Sequence, residues 1–250
     1  MRIGRFTYKK KILWGTIEDD CVRPLADEPF KRIRSSSRKI PLTQIKLLAP
    51  ATPSKIILVG LNYRNHAQEL NMPIPQEPVI FLKPPTAVIA NGGIIRYPQQ
   101  VRRLDYEAEL ALIIKKEAKN ISPSRAKDYI LGFTCVNDVT ARDLQHKDIQ
   151  WSRAKSFDTF CPVGPWIETE LDPRRLRIAT YLNDSLKQDS STANMIFPVD
   201  FVLSFVSSIM TLHAGDIIST GTPPGIGPMK RGDTVTVEIE HLGRLTNYIQ

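Results

Sequence analysis

Short apolar-rich runs punctuated by turn residues open the chain. Residues 2 to 8, 11 to 17 and 21 to 25 are rich in Ile, Phe, Tyr, Trp and Val and are separated by Lys9-Lys10 and Asp19-Asp20, which predicts three short strands. Residues 34 to 54 turn polar and are then broken by Pro41, Pro50 and Pro53, the mark of a connection. Residues 1–54 therefore read as a small N-terminal β domain with its linker, and residues 55–250 as the main domain. Lys55 to Gly60 forms a compact apolar strand, and Asn62 is placed to cap a short helix behind it. Ser122-Pro123 predicts the cap and first turn of a second helix, with Gly132 just past its end. A third helix is expected from about Pro198, with Phe201, Val202, Phe205, Val206, Ile209 and Met210 as one apolar stripe facing the core. Strands return at Asp216 to Thr220 and Thr234 to Ile239, joined by the loop Gly221 to Pro228. The class is mostly β with short helices, an α+β arrangement.

The run Asp105-Tyr-Glu-Ala-Glu-Leu-Ala-Leu-Ile-Ile114 carries an unusual pair. Side chains two apart on a strand share a face, so Glu107 and Glu109 project together while Tyr106, Ala108, Leu110 and Leu112 pack on the other side. A lone Glu-x-Glu is also what a half-exposed strand shows. Asp138, in Asn137-Asp-Val-Thr-Ala-Arg-Asp143, would complete three hard oxygen donors if it came from a neighbouring strand end, a set suited to Mg²⁺, Mn²⁺ or Ca²⁺ rather than Zn²⁺.

Further polar residues fall at chemically useful spacings. His66 and Glu69, one helical turn apart, form an acid/base pair in which the carboxylate fixes the imidazole tautomer. Arg142 and Gln145 would face the same way on a helical turn and hold a substrate carboxylate or carbonyl. Lys155 sits among small and aromatic residues, surroundings that depress a lysine pKa or set an ammonium where an enolate forms. Asp143 and Asp158 read as orienting groups. The Gly221 to Pro228 loop lacks both the Gly-Lys-Ser/Thr ending of a P-loop and dinucleotide spacing, and its backbone N–H groups suit a carboxylate.

With 250 residues, 42% of them hydrophobic, the chain can bury a full core. Its net charge of +8 is dispersed, and no aromatics interleave with the basic residues, so no nucleic acid is expected as a partner; the charge would instead draw in small dianions. Cys21, Cys135 and Cys161 are odd in number and form no Cys-x-x-Cys pair, which fits a reducing, cytoplasmic setting. No signal-type stretch and no run of membrane-spanning length occurs, so no membrane partner is expected.

Taken in order, Gly60-Leu-Asn-Tyr-Arg-Asn-His-Ala-Gln-Glu69, Asp105-Tyr-Glu-Ala-Glu109, Asn137-Asp-Val-Thr-Ala-Arg-Asp143, Lys155-Ser-Phe-Asp-Thr-Phe and Gly221-Thr-Pro-x-Gly-x-Gly227 resemble the fumarylacetoacetate hydrolase family over residues 55 to 250. The resemblance implies a mixed β-roll with short helices, usually a homodimer, and a divalent cofactor (Mg²⁺ or Mn²⁺, with Ca²⁺ a third candidate) held by Glu107, Glu109 and Asp138. It implies catalytic roles for His66 and Glu69 on a lid-like segment and for Lys155. It also implies substrate contacts by Arg142, Gln145 and Thr222. Members cleave, decarboxylate or tautomerise small 2-oxo and 2,4-dioxo acids, and all three reactions share enolate formation beside a polarised ketone. The leading expectation is C–C bond cleavage in an acylpyruvate or oxaloacetate. The first alternative is an isomerase of 2-hydroxyhepta-2,4-diene-1,7-dioate type from aromatic-acid catabolism, and a distant one is a non-catalytic basic nucleic-acid-binding module. The loop between Gly227 and Asp233 is shorter than in longer relatives, and the first fifty residues carry no motif of the family.

Overall fold

The computed structural model describes residues 1–250. Its largest sheet has twelve strands, and the segment Ala108–Ile114 runs through the middle of it, between Ile130–Asn137 and Ile217–Ser219. All seven residues of Ala108–Ile114 are buried, because the sheet is covered on both faces. Ala108, Leu110, Leu112 and Ile114 enter one hydrophobic cluster with Val202, Leu203 and Val206, whereas Ala111 and Ile113 enter another with Ile56, Leu58 and Val136. The period-2 alternation thus serves two cores at once. Glu109 is the polar exception on the second face.

The three N-terminal strands form as expected, at Arg2–Tyr8, Lys11–Ile17 and Cys21–Pro24. They continue the large sheet: Arg2 and Ile3 pair with Glu168 and Ile167. A five-stranded sheet, including Arg177–Leu182, Thr234–Ile239 and Gly243–Ile249, closes over the first core. A small three-stranded sheet pairs Leu104–Tyr106 with Thr140–Ala141 and Gly227–Met229. That small sheet gathers three of the polar motifs at one edge of the molecule's centre. No helix is long and apolar enough to cross a membrane. The three cysteines are free and buried.

Four local expectations differ from the structure. Asn62 does not cap the helix Arg64–Glu69, whose N-cap is Tyr63; its buried amide instead donates to the carbonyls of Phe197 and Thr220 and accepts from Phe197 N–H. Ser122 and Pro123 do open a helix as its N-cap and first residue, but Pro123–Tyr129 winds as a 3₁₀ helix without a side-chain cap bond, and Gly132 lies inside the strand Ile130–Asn137, where a Cβ would meet Glu168 O at 2.4 Å. The helix Val199–Ile209 forms, but it buries Val199, Val202, Leu203, Val206 and Ser207 and leaves Phe201 and Ile209 exposed. Both sides of that helix are apolar, so counting hydrophobic residues does not orient it. Tyr106 joins neither large cluster, packing instead with Leu104, Val139 and Met229.

Candidate active site

Antiparallel pairing of Ala108 with Asn137 sets the geometry of the centre. Glu107 lies in the break between Leu104–Tyr106 and Ala108–Ile114; its N–H donates to Asn137 Oδ1 at 3.0 Å, and its carbonyl accepts from Asp138 N–H at 2.8 Å. This clamp brings Asp138 against a pair of residues some thirty positions earlier. One carboxylate oxygen from each of Glu107, Glu109 and Asp138 then lies within 4.8 Å of the others, and all three residues are buried.

Three such groups cannot all be charged in isolation, since two like charges at about 4 Å repel by roughly 4 kcal/mol in a partly solvated interior. The chain supplies cations to two of them. Lys155 Nζ donates to Asp138 Oδ2 at 2.5 Å, Glu107 Oε2 at 3.0 Å and Thr140 Oγ1 at 2.7 Å. Lys83 Nζ sits 2.6 Å from Asp138 Oδ1, off the hydrogen-bonding direction, and donates to the carbonyls of Val139 and Phe160. Arg142 donates through Nη2 to Glu107 Oε1 and through Nε to Asp105 Oδ2, while its Nη1 holds Gln145 Oε1. Burial alone would push Glu107 up, yet Lys155 and Arg142 outweigh it and hold Glu107 well below the usual carboxylate range.

Glu109 is different: it makes no ion pair. Ser219 Oγ and Gly221 N–H both donate to its Oε2, at 2.5 and 3.0 Å. Burial, followed by the neighbouring charge of Asp138, pushes Glu109 up to about 8. A buried carboxylate without a cation, next to an Asp138 oxygen that accepts no hydrogen bond, forms an all-oxygen donor set that a divalent ion fits. Of the two alternatives for Lys155, a depressed pKa is the one the structure does not support. Burial lowers its pKa, but Asp138 and Glu107 reverse the shift, so it stays charged.

The second group of residues lies along the Gly221–Gly227 loop. His66, buried on the short helix, places Nδ1 2.8 Å from Glu69 Oε2. Glu69 Oε1 accepts from Gly225 N–H at 3.0 Å, so a loop N–H does hold a carboxylate. Thr222, also buried, accepts at Oγ1 from Gln188 Nε2 at 2.9 Å, which leaves its own O–H free to donate. Gln188 spends all four hydrogen-bonding positions: Oε1 accepts from Ala108 N–H and Thr180, and Nε2 also donates to Pro223 O. Asp143 orients its neighbours, accepting from the N–H groups of Arg102 and Arg103.

Every predicted residue but Asp158 connects, directly or through one or two partners, to the segment 104–114; Asp158 is exposed and orients no neighbour. Sequence reasoning did not find Lys83, Ser219, Gln188 or the loop contact of Tyr106. The one available signal was Lys83 itself, a charge ending the apolar Ile80–Lys83 strand before two prolines.

The model for the C-terminal domain of fumarylacetoacetate (FAA) hydrolase matches residues 55–250. The chain belongs to the fumarylacetoacetate hydrolase family. Members of this family are enzymes, generally dependent on a divalent metal. A second model, the Rv2993c-like N-terminal domain, matches residues 1–50, where the sequence offered no motif. An uncharacterized protein of Archaeoglobus fulgidus is 52% identical over 98% of this chain and 94% of its own length. Oxaloacetate tautomerase fahd2 of Xenopus laevis, a mitochondrial protein, is 42% identical over 82% of this chain and 68% of its own. The crystal structure of 2-hydroxyhepta-2,4-diene-1,7-dioate isomerase from Mycobacterium marinum superposes with a TM-score of 0.94 at 42% identity, covering 100% of this chain and 98% of that one. The mostly-sheet architecture is that of the family.

Proposed function

We propose that this protein is a divalent-metal-dependent enzyme that moves a proton on small 2-oxo acids, interconverting keto and enol or dienol forms. The observation that carries the reading is the buried triad of Glu107, Glu109 and Asp138, in which one carboxylate lacks any cation. The presence of a tautomerase and an isomerase among similar proteins favours proton transfer over bond cleavage.

Glu107, Glu109 and Asp138 would hold Mg²⁺ or Mn²⁺, whose chemistry when bound is Lewis-acid polarisation of the substrate's ketone. His66 has Nδ1 committed to Glu69, so Nε2 is the nitrogen left to take or return the substrate's proton. Glu69 fixes that tautomer and stabilises the imidazolium that forms. Lys155, charged and fixed by three acceptors, sets positive potential beside the oxygen on which negative charge develops. The free O–H of Thr222 donates to a substrate oxygen, and Arg142 and Gln145 carry further donors beside Glu107. Arg142 is already engaged by Asp105 and Glu107, so it acts from a fixed position.

The same residues would serve C–C cleavage, with water in place of the substrate C–H as the proton source for His66. Incubating the purified protein and Mg²⁺ with oxaloacetate, a 2-hydroxydienedioate and acetylpyruvate separates the reactions. Accelerated keto–enol interconversion without pyruvate release is expected. Pyruvate plus acetate from acetylpyruvate would transfer the assignment to hydrolysis, and inactivity toward all three would refute the reading.

A further inference from the structure

Tyr106 stands one residue before Glu107 and is buried, yet its side chain points away from the carboxylate triad. Its hydroxyl donates to Gly225 O at 3.1 Å. The N–H of the same glycine donates to Glu69 Oε1 at 3.0 Å, and the other Glu69 oxygen faces His66 Nδ1 at 2.8 Å. An unbroken series of three hydrogen bonds therefore runs from the segment that carries the metal ligands to the acid/base pair.

Gly225 is built to be the joint. Its φ of +94° is a conformation that side chains disfavour, and a Cβ there would lie 2.5 Å from Lys187 O. With the Cα pressed against Lys187 and the carbonyl tied to Tyr106, the direction of the Gly225 N–H is set. Glu69 needs that direction. Its side chain is 38% exposed and rich in rotamers, so without a fixed donor it would swing between orientations, and the buried His66 would lose the partner that fixes its tautomer. Gln188 grips the start of the same loop at Thr222 and Pro223, so the loop is anchored at both ends.

We propose that Tyr106 is a positioning residue for the His66–Glu69 pair, acting through Gly225, so that one segment both supplies metal ligands and aims the general base. The inference rests on the proton-transfer reading for its activity readout, and on backbone protection for a readout free of it.

The experiment is a double-mutant cycle of Tyr106→Phe and His66→Ala, assayed with Mg²⁺ and oxaloacetate. Tyr106→Phe should lower kcat by about fivefold, the rate equivalent of one neutral hydrogen bond, with KM unchanged. In the His66→Ala background it should cost nothing more, because the group it aims is gone. Equal losses in both backgrounds would overturn the positioning role while leaving the function intact. Full activity of His66→Ala would instead bring down the function. Hydrogen exchange at the Gly225 amide supplies the second measurement, without substrate and without the Tyr106 variant. Protection should fall in Glu69→Ala and persist in Glu69→Gln, whose amide oxygen still accepts. Equal protection in wild type and Glu69→Ala would overturn the proposal whatever the kinetics show.

Discussion

Replacing Lys83 by methionine removes a positive charge from the least accessible part of the site while keeping an unbranched side chain of similar length. The Lys83 side chain is fully buried, with Nζ 2.6 Å from Asp138 Oδ1, 2.9 Å from Val139 O and 2.5 Å from Phe160 O. Stranding one partner of a buried ion pair costs about 3–5 kcal/mol, and because Asp138 keeps Lys155 as a second cation the lost charge alone costs less than that. The carbonyls of Val139 and Phe160 lose their donor as well, which brings the total back into that range. A chain of this size loses roughly 2–4 °C of melting temperature per kcal/mol, so the metal-free variant should melt roughly 6–20 °C below wild type. The assay is a thermal melt in EDTA, repeated with excess Mg²⁺. Magnesium should raise the melting temperature of the variant more than that of wild type, because Asp138 has lost a cation that the ion replaces. The exposed pair Arg174–Asp172 gives the control: Arg174→Met should leave the melt unchanged. A Lys83→Met protein melting with wild type in EDTA would refute the claim that Lys83 holds Asp138 in place.

Two further outcomes depend on pH. The folded value of Glu109 lies above its unfolded one. Through this group, the metal-free fold is therefore strongest below the ordinary carboxylate range and weakens as pH rises toward about 8. Ion binding at pH 7 must expel that proton, so calorimetric titration with Mg²⁺ in buffers of different ionisation heat should show about one proton released per ion, and none in Glu109→Gln; heats independent of buffer would contradict this. Asp216 has the opposite sign. Burial raises its pKa, but Lys55, Ser54 and the His213 N–H outweigh burial and lower it. Its stability contribution is present above the unfolded value and is lost as pH falls through the folded one. Asp216→Asn should cost about 2 kcal/mol at pH 7 in urea unfolding, with the deficit closing in acid; a deficit constant with pH would show that charge is not the cause.

What was legible in the sequence was whatever is encoded locally. The N-terminal strands follow from β-formers punctuated by Lys9-Lys10, both of which take the left-handed turn conformation. Glu107 and Glu109 stood out because side chains two apart on a strand share a face, and Asp138 as a third oxygen donor at a strand end. What was not legible depends on distant partners. Asn62 looks like a helix cap until Phe197 and Thr220, far along the chain, claim its amide. Lys83 looks like a solvated strand end, and only the fold reveals that Asp138 needs a counter-charge there. Lys155 looked like a lysine among small and aromatic neighbours, and the two carboxylates that keep it charged come from distant breaks between strands. The rotation of the Val199–Ile209 helix is hidden for another reason: Phe201 and Ile209 are as apolar as the residues it buries.

The most direct measurement of the central claim is an anomalous difference map from crystals grown with Mn²⁺ and oxalate, a planar mimic of a 2-oxo acid enolate. A manganese peak bounded by Glu107, Glu109 and Asp138, with oxalate completing its shell beside Lys155, is the predicted result. Oxalate bound with no peak between those carboxylates, or a peak elsewhere in the protein alone, would contradict it.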